Sequence, residues 1–139
     1  MPTVPWQQLD HEMADDAEVV VMASRFRLHR LSQVPRFFLD ALRVQRQAAR
    51  SEGVVGLSLR AHPLRREFLT LSAWRDQGSL NAMYRAQPHG AVMSRHRPAM
   101  ASSEFVFYRL RAGELPAGWD DAYRRLAENE AAKKTGDPS

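Results

Sequence analysis

Two stretches of this chain are apolar on both sides of what would be an extended backbone, and that limits the fold more than any other feature. Glu18 to Leu28 sets Val19, Val21 and Ala23 against Val20, Met22 and Phe26. Glu104 to Arg111 sets Phe105 and Phe107 against Val106, Tyr108 and Leu110. A strand with one wet face alternates apolar and polar residues, so these two need cover on both sides. A bare apolar face on the order of several hundred Å² is unusual on a monomer. Burying such a face stabilises by about 25 cal/mol per Å². The expectation is a homodimer packed through the sheet face. The alternative is that the N-terminal arm and a C-terminal helix cover that face within one chain.

The segments between these strands supply the rest of the pattern. Ser32 fits an N-cap with Pro35 in the first turn, and Val34, Phe37, Phe38, Ala41, Gln45, Ala48 and Ala49 follow at helical spacing. Gly53 suits the residue that ends this helix. Val54–Ala61 and Glu67–Arg75 read as strands of a hairpin around His62-Pro63-Leu64-Arg65. Asp76 can cap a second helix that buries Leu80, Met83 and Tyr84 and is interrupted at Pro88. His89, Val92, Met93, His96 and Met100 continue one of its faces, Ser102-Ser103 reads as the turn before the last strand, and Asp120–Ala132 as a short amphipathic helix. The order β-α-β-β-α-β predicts an α+β, ferredoxin-like sandwich, with both helices on one side of a four-stranded antiparallel sheet. The predicted layout is an irregular N-terminal arm over 1–17, the ferredoxin-like domain over 18–111, a turn and helix over 112–132, and a disordered tail over 133–139. Trp6 could pin the arm to the body.

Composition narrows the function by exclusion. A length of 139 residues is one domain. With no cysteine, disulfide scaffolds, thiolate metal sites and cysteine nucleophiles are out. No apolar run approaches the ~20 residues of a membrane span, and no signal peptide is visible, so a cytoplasmic protein is expected. The net charge of +4 hides a gradient: 1–18 carry −5, 19–111 carry +11 and 112–139 carry −2. A basic body raises the question of nucleic acid. The aromatic signature of RNA-binding sheets is missing, however, and Arg36, Arg43, Arg46 and Arg50 read as a solvated helix face, so no nucleic-acid partner is expected. Zinc-protease, calcium-loop, nucleophile-elbow and phosphate-loop motifs are also missing.

The chemistry-bearing residues cluster by parity. Gly56 and Ser58 are small on one side of their strand, and Thr70, Ser72 and Trp74 share a side of the next, with Val55, Leu57, Leu59, Leu69 and Leu71 opposite. If the small, polar side lies under the second helix, it leaves a pocket for a small hydrophobic or aromatic ligand with Trp74 on its wall. His89 follows the helix interruption, and its near-neutral pKa suits a general base; a capping or surface histidine is the plain alternative. His96 lies two turns further on, too far from His89 to share a metal ion, and no metal site is expected. His11, His29 and His62 read as solvated.

Phe68–Asp76, then Leu80, Pro88-His89 and Phe105–Tyr108, resemble the dimeric α/β-barrel superfamily. The likeness is to antibiotic-biosynthesis-monooxygenase-like domains and to an uncharacterised group related to spheroidene monooxygenase. The shared pattern is a third strand ending in Trp-x-Asp, an apolar helix start and a histidine after a kink, over about residues 18–111. The resemblance implies a dimeric α/β barrel and a cofactor-independent monooxygenase of an aromatic or polyketide-like substrate. In that chemistry His89 would take a proton from a phenol, hydroquinone or anthrone, and the anion would react with O2 without metal or flavin. Trp74 would stack on the ring, Tyr84 or Arg25 would hold an oxygen, and Ser72, Met93 and His96 would line the substrate site. The superfamily also implies an alternative, a non-catalytic or haem-binding module with His89 on haem. Haem-degrading members use an asparagine on the first strand, and here only Asn81 and Asn129 exist, on neither.

Overall fold

The computed structural model describes residues 3–10, 12–85 and 96–134. Its strands are β1 (Thr3–Gln8), β2 (Glu18–Leu28), β3 (Val54–His62), β4 (Glu67–Trp74) and β5 (Met100–Arg111). Its helices are α1 (Val34–Ala49), α2 (Gln77–Arg85) and α3 (Trp119–Lys134). The sheet runs β1-β3-β4-β2-β5, with every neighbouring pair antiparallel. The last four strands have the predicted ferredoxin-like order.

The N-terminal arm is not irregular. Thr3–Gln8 forms an edge strand on β3, pairing Thr3 with Arg60 and Gln8 with Gly56. Pro5 falls where the register shifts between Val4 and Gln7, and an edge strand tolerates a proline at such a break because one side of it needs no ladder bonds. The Trp6 indole lies over Gly56, where a side chain would collide with it. Trp6 therefore does pin this segment to the sheet.

The helix boundaries follow local chemistry. Pro35 sits in the first turn of α1, behind a 3₁₀ turn at Leu31–Gln33. The helix is capped at Arg50 rather than at Gly53; Gly53 takes its positive φ (85°) in the turn that enters β3. The Asp76 carboxylate accepts the Ser79 backbone N–H at 2.7 Å, as an N-cap should, and these bonds hold its pKa below the ordinary carboxylate value. Ser102 and Ser103 are not a turn: both pair with β2 inside β5.

Both faces of the central strand β2 are covered, whereas Phe107 of the edge strand β5 stays exposed, and the expected reason for the second cover is overturned. On one face, Val20, Met22, Leu57 and Trp74 pack with Ala48 of α1 and Leu80 and Met83 of α2. On the other, Val19, Val21, Ala23, Val55, Leu69, Leu71 and Ala73 form a core with Ala122 and Leu126 of α3. Val19, Val21, Ala23, Leu69, Leu71 and Ala73 are fully buried within one chain. The cover is the chain's own C-terminal helix, with Trp6 and Met13 at its margin. A bare sheet face is thus no argument for a second copy. Among the described residues no helix is long and apolar enough to cross a membrane.

Candidate functional site

A cavity lies between the sheet and the two helices. Register decides which residues enter it. Across β2 and β4, Val20 opposes Trp74, Met22 opposes Ser72, Ser24 opposes Thr70 and Phe26 opposes Phe68. All four β4 residues point to the helix side, so Ser72 and Trp74 fall where the parity reading put them. The hairpin register with β4 then reverses the expectation for β3. Leu57 and Leu59 share the cavity face with Ser72 and Thr70, whereas Ser58 opposes Leu71 on the α3 side and donates to the Val4 carbonyl at 2.8 Å. The small, polar surface belongs to β4 and β2, not to β4 and β3.

The cavity measures about 60 Å³ and is not sealed. Along β4 the floor runs from the indole of Trp74 through Ser72 and Thr70 to Phe68. Phe26, Phe37, Phe68 and Phe105 make an aromatic end: Phe37 lies 4.6 Å from Phe68, and Phe26 meets Phe105 edge-on at 5.5 Å. Ala41, Val44, Gln45 and Ala48 of α1 and Met83 of α2 form the roof. The helices are tied together there, the Gln47 amide donating to the Met83 carbonyl at 3.1 Å. Trp74 is fully buried and its N–H donates to Ser72 Oγ at 2.9 Å. The Ser24 and Thr70 hydroxyls bond each other across the strands. Among the described lining residues none is charged.

Other expected site residues do not meet here. Arg25 lies on the opposite face, buried under α3, with Nη1 3.7 Å from Glu130. It shares parity with Val21 and Ala23, which is why it cannot reach a ligand held against Trp74. His96 is buried but does not line the cavity: its Nε2 lies 2.7 Å from Asp40 Oδ2, and its ring meets Phe37 edge-on at 5.0 Å. It stands behind a wall residue and joins α1 to the segment that enters β5. Tyr84 falls in α2, with its side chain outside what is described, and His89 and Met93 lie outside the described residues. His62 is not solvated; it is buried beside Tyr123 of α3, 3.2 Å from its hydroxyl, and burial pulls its pKa down.

Sequence reasoning missed Ser24. The signal was available: one hydroxyl on the side of β2 that otherwise reads Val20, Met22 and Phe26. Among the described residues no three acidic or histidine side chains gather as a metal site. A cavity of about 60 Å³ leaves no room for a tetrapyrrole between α1 and the sheet. Among the described residues that line this cavity none offers a haem ligand.

No protein-family model matches the chain, and no curated protein matches it at a significant level. Solved structures do. SnoaB, a cofactor-independent oxygenase from Streptomyces nogalater, superposes with a TM-score of 0.56 at 20% identity, over 73% of this chain and 100% of that one. A Nitrosomonas europaea protein provisionally named an antibiotic biosynthesis monooxygenase gives 0.59 at 14% identity, over 76% and 99%. A dimeric ferredoxin-like protein of unknown function from Thermobifida fusca gives 0.57 at 13% identity, over 71% and 97%. The chain shares its ferredoxin-like fold with these structures. At such identities the likeness establishes architecture, and activity has to be argued from the site.

Proposed function

We propose that this protein is a cofactor-independent monooxygenase of small, oxygen-bearing aromatic compounds, bound between the sheet and α1. The observation that carries this reading is a cavity walled by Trp74 at one end and four phenylalanines at the other, with hydroxyls between. Aromatic walls with a few fixed polar groups are what a planar phenolic ring requires. SnoaB, of the same fold, is named as a cofactor-independent oxygenase, which supports the chemistry. The volume trims the substrate class. An apolar cavity that encloses benzene measures about 150 Å³, so a 60 Å³ cavity takes the reacting edge of one ring and not a fused polyketide.

The reaction balances with O2 alone. A base removes a hydroxyl proton from a hydroquinone, the ring carbon of the anion forms a C–O bond to O2, and the peroxide loses water. Hydroquinone plus O2 thus yields hydroxyquinone plus water, one oxygen atom going to each. The reading assigns His89 as the base and Trp74 as the stacking wall. It also takes the protein as a homodimer, as the Thermobifida fusca neighbour is described to be. Here that association has to use a surface other than the face under α3.

The test is oxygen uptake by purified protein with chelator present and no flavin added, on hydroquinones, naphthols and anthrone. Single rings are expected to be consumed ahead of fused ones, with His89→Ala abolishing uptake. Silence across the panel, or an unimpaired His89→Ala, would remove the reading. Light scattering should give twice the 15.8 kDa chain mass.

A further inference from the structure

The cavity floor holds hydroxyl protons that its own hydrogen bonds leave unused, because each hydroxyl oxygen can accept as well as donate. Ser24, Thr70 and Ser72 bring three O–H groups, and Trp74 adds an N–H. The Trp74 N–H is taken by Ser72 Oγ, so Ser72 acts as acceptor there and keeps its own proton. Ser24 and Thr70 bond each other, which uses one of their two protons. Two O–H groups are left with no acceptor among the described residues, one on Ser72 and one on the Ser24–Thr70 pair. Ser24 and Ser72 are buried, and among the described lining residues the rest, apart from Thr70, Gln45 and the Trp74 N–H, are apolar.

A buried donor without an acceptor costs free energy that a suitable partner returns. We infer that the Ser24–Thr70–Ser72 row is the recognition element for a neutral ligand oxygen, a phenol hydroxyl or a ring ketone. This inference rests on the cavity being the ligand site proposed above, and adds what selects the ligand. The donors are spaced along one face. Thr70 and Ser72 are two residues apart on β4, about 7 Å in an extended strand, so a ligand oxygen takes its hydrogen bond from one of the two. A carboxylate is selected against, since among the described residues no cation lines the cavity and its full charge would be poorly compensated for the water it loses. The same donors would hold the phenolate oxygen as the proton leaves, because hydrogen bonds to an ionised acceptor are stronger. The row is therefore neutral-selective in binding and anion-stabilising during reaction.

The test separates binding from oxygenation. Phenol, toluene and benzoate share a ring and differ only in the group offered to the row. Titration calorimetry under nitrogen reads their affinities with no O2 chemistry possible. Phenol is expected to bind on the order of tenfold tighter than toluene, the gain of one to two hydrogen bonds, and benzoate to bind more weakly than either. Thr70→Val with Ser72→Ala should erase the phenol advantage and keep toluene affinity, while Thr70→Ser keeps the advantage. Should the double variant fail to fold, Thr70→Val against Thr70→Ser makes the same comparison. Equal phenol and toluene affinity in the wild type, a phenol advantage that survives Thr70→Val, tight benzoate binding, or no binding of any probe overturns the inference. A phenol preference in a protein that takes up no oxygen would uphold the row and discard the oxygenase.

Discussion

The contact between Trp6 and Gly56 makes the added edge strand testable by a double-mutant cycle. A Cβ placed on Gly56 would lie 2.9 Å from Trp6 Nε1 and closer still to two ring carbons, so Gly56→Ala has to push the indole aside or bend β1. Overpacking of this kind typically costs about 1–3 kcal/mol. Gly56 does not need a positive φ, the described exceptions being Gly53 and Arg66. In the absence of Trp6, alanine there should instead stabilise by about 0.4–1 kcal/mol, by reducing the freedom of the unfolded chain. Trp6→Ala alone should cost about 1–3 kcal/mol for a half-buried ring whose N–H also donates to Gln8 Oε1 at 2.8 Å. The two effects give a coupling of about 1.4–4 kcal/mol, with the sign of Gly56→Ala reversing between backgrounds. Urea unfolding of the four proteins, followed by circular dichroism, measures it. Equal costs for Gly56→Ala with and without Trp6, within about 0.5 kcal/mol, would refute the packing of β1 on the sheet.

Three further outcomes follow from other contacts. Leu126→Ala should destabilise by about 2–4 kcal/mol, because the side chain is fully buried and is the main aliphatic anchor of α3 on Val19, Val21 and Leu71; thermal unfolding reads the loss. Asp40→Asn should cost about 1–3 kcal/mol, since the His96 ring would lose its charged partner while staying buried, and the nearby Arg36 and Arg43 would lose theirs. His62 gives a pH dependence. Its pKa is lowered in the folded protein, by burial first and then by Arg65 and Arg60, with Glu67 opposing. The unfolded chain therefore takes up the proton first, and this contribution to stability is complete above the ordinary histidine value of 6.5 and declines as pH falls through it. His62→Gln should flatten the urea midpoint between pH 7 and pH 5, and an unchanged slope would contradict the buried placement.

Much of this arrangement is legible from residue types, and the misses have physical causes. The double-sided apolar pattern of β2 correctly demanded two covers. It could not say which segment supplied the second, because α3 presents little apolar surface of its own: Ala122 and Leu126, helped by Trp119 and Tyr123. Arg60 over the Trp119 ring at 4.8 Å and Arg125 over Tyr108 at 4.0 Å do part of the holding, and those contacts have no hydrophobic period to read. Pro5 disguised β1 as a loop, since a proline argues against a central strand and leaves an edge strand open. The site was half visible. Trp74 and Ser72 followed from alternation along β4, which has no irregularity. On β3 alternation holds from Gly56 to His62, but it could not say which set faces the helices. The hairpin register fixes that by opposing Leu57 to Ser72 and Leu59 to Thr70, and the Val54–Gly56 bulge separates Val55 from both. Arg25 was misplaced for a related reason: charge suggested a ligand contact, while its parity with Val21 already assigned it to the far side.

The most direct measurement is a crystal of the wild-type protein soaked with 4-bromophenol, the ligand located by bromine anomalous scattering. The account predicts the phenol oxygen at about 3 Å from the Ser72 or the Thr70 hydroxyl, with the opposite edge of the ring and the bromine at the cavity mouth. A bromine peak under α3, or none between α1 and the sheet at full soaking concentration, would contradict it.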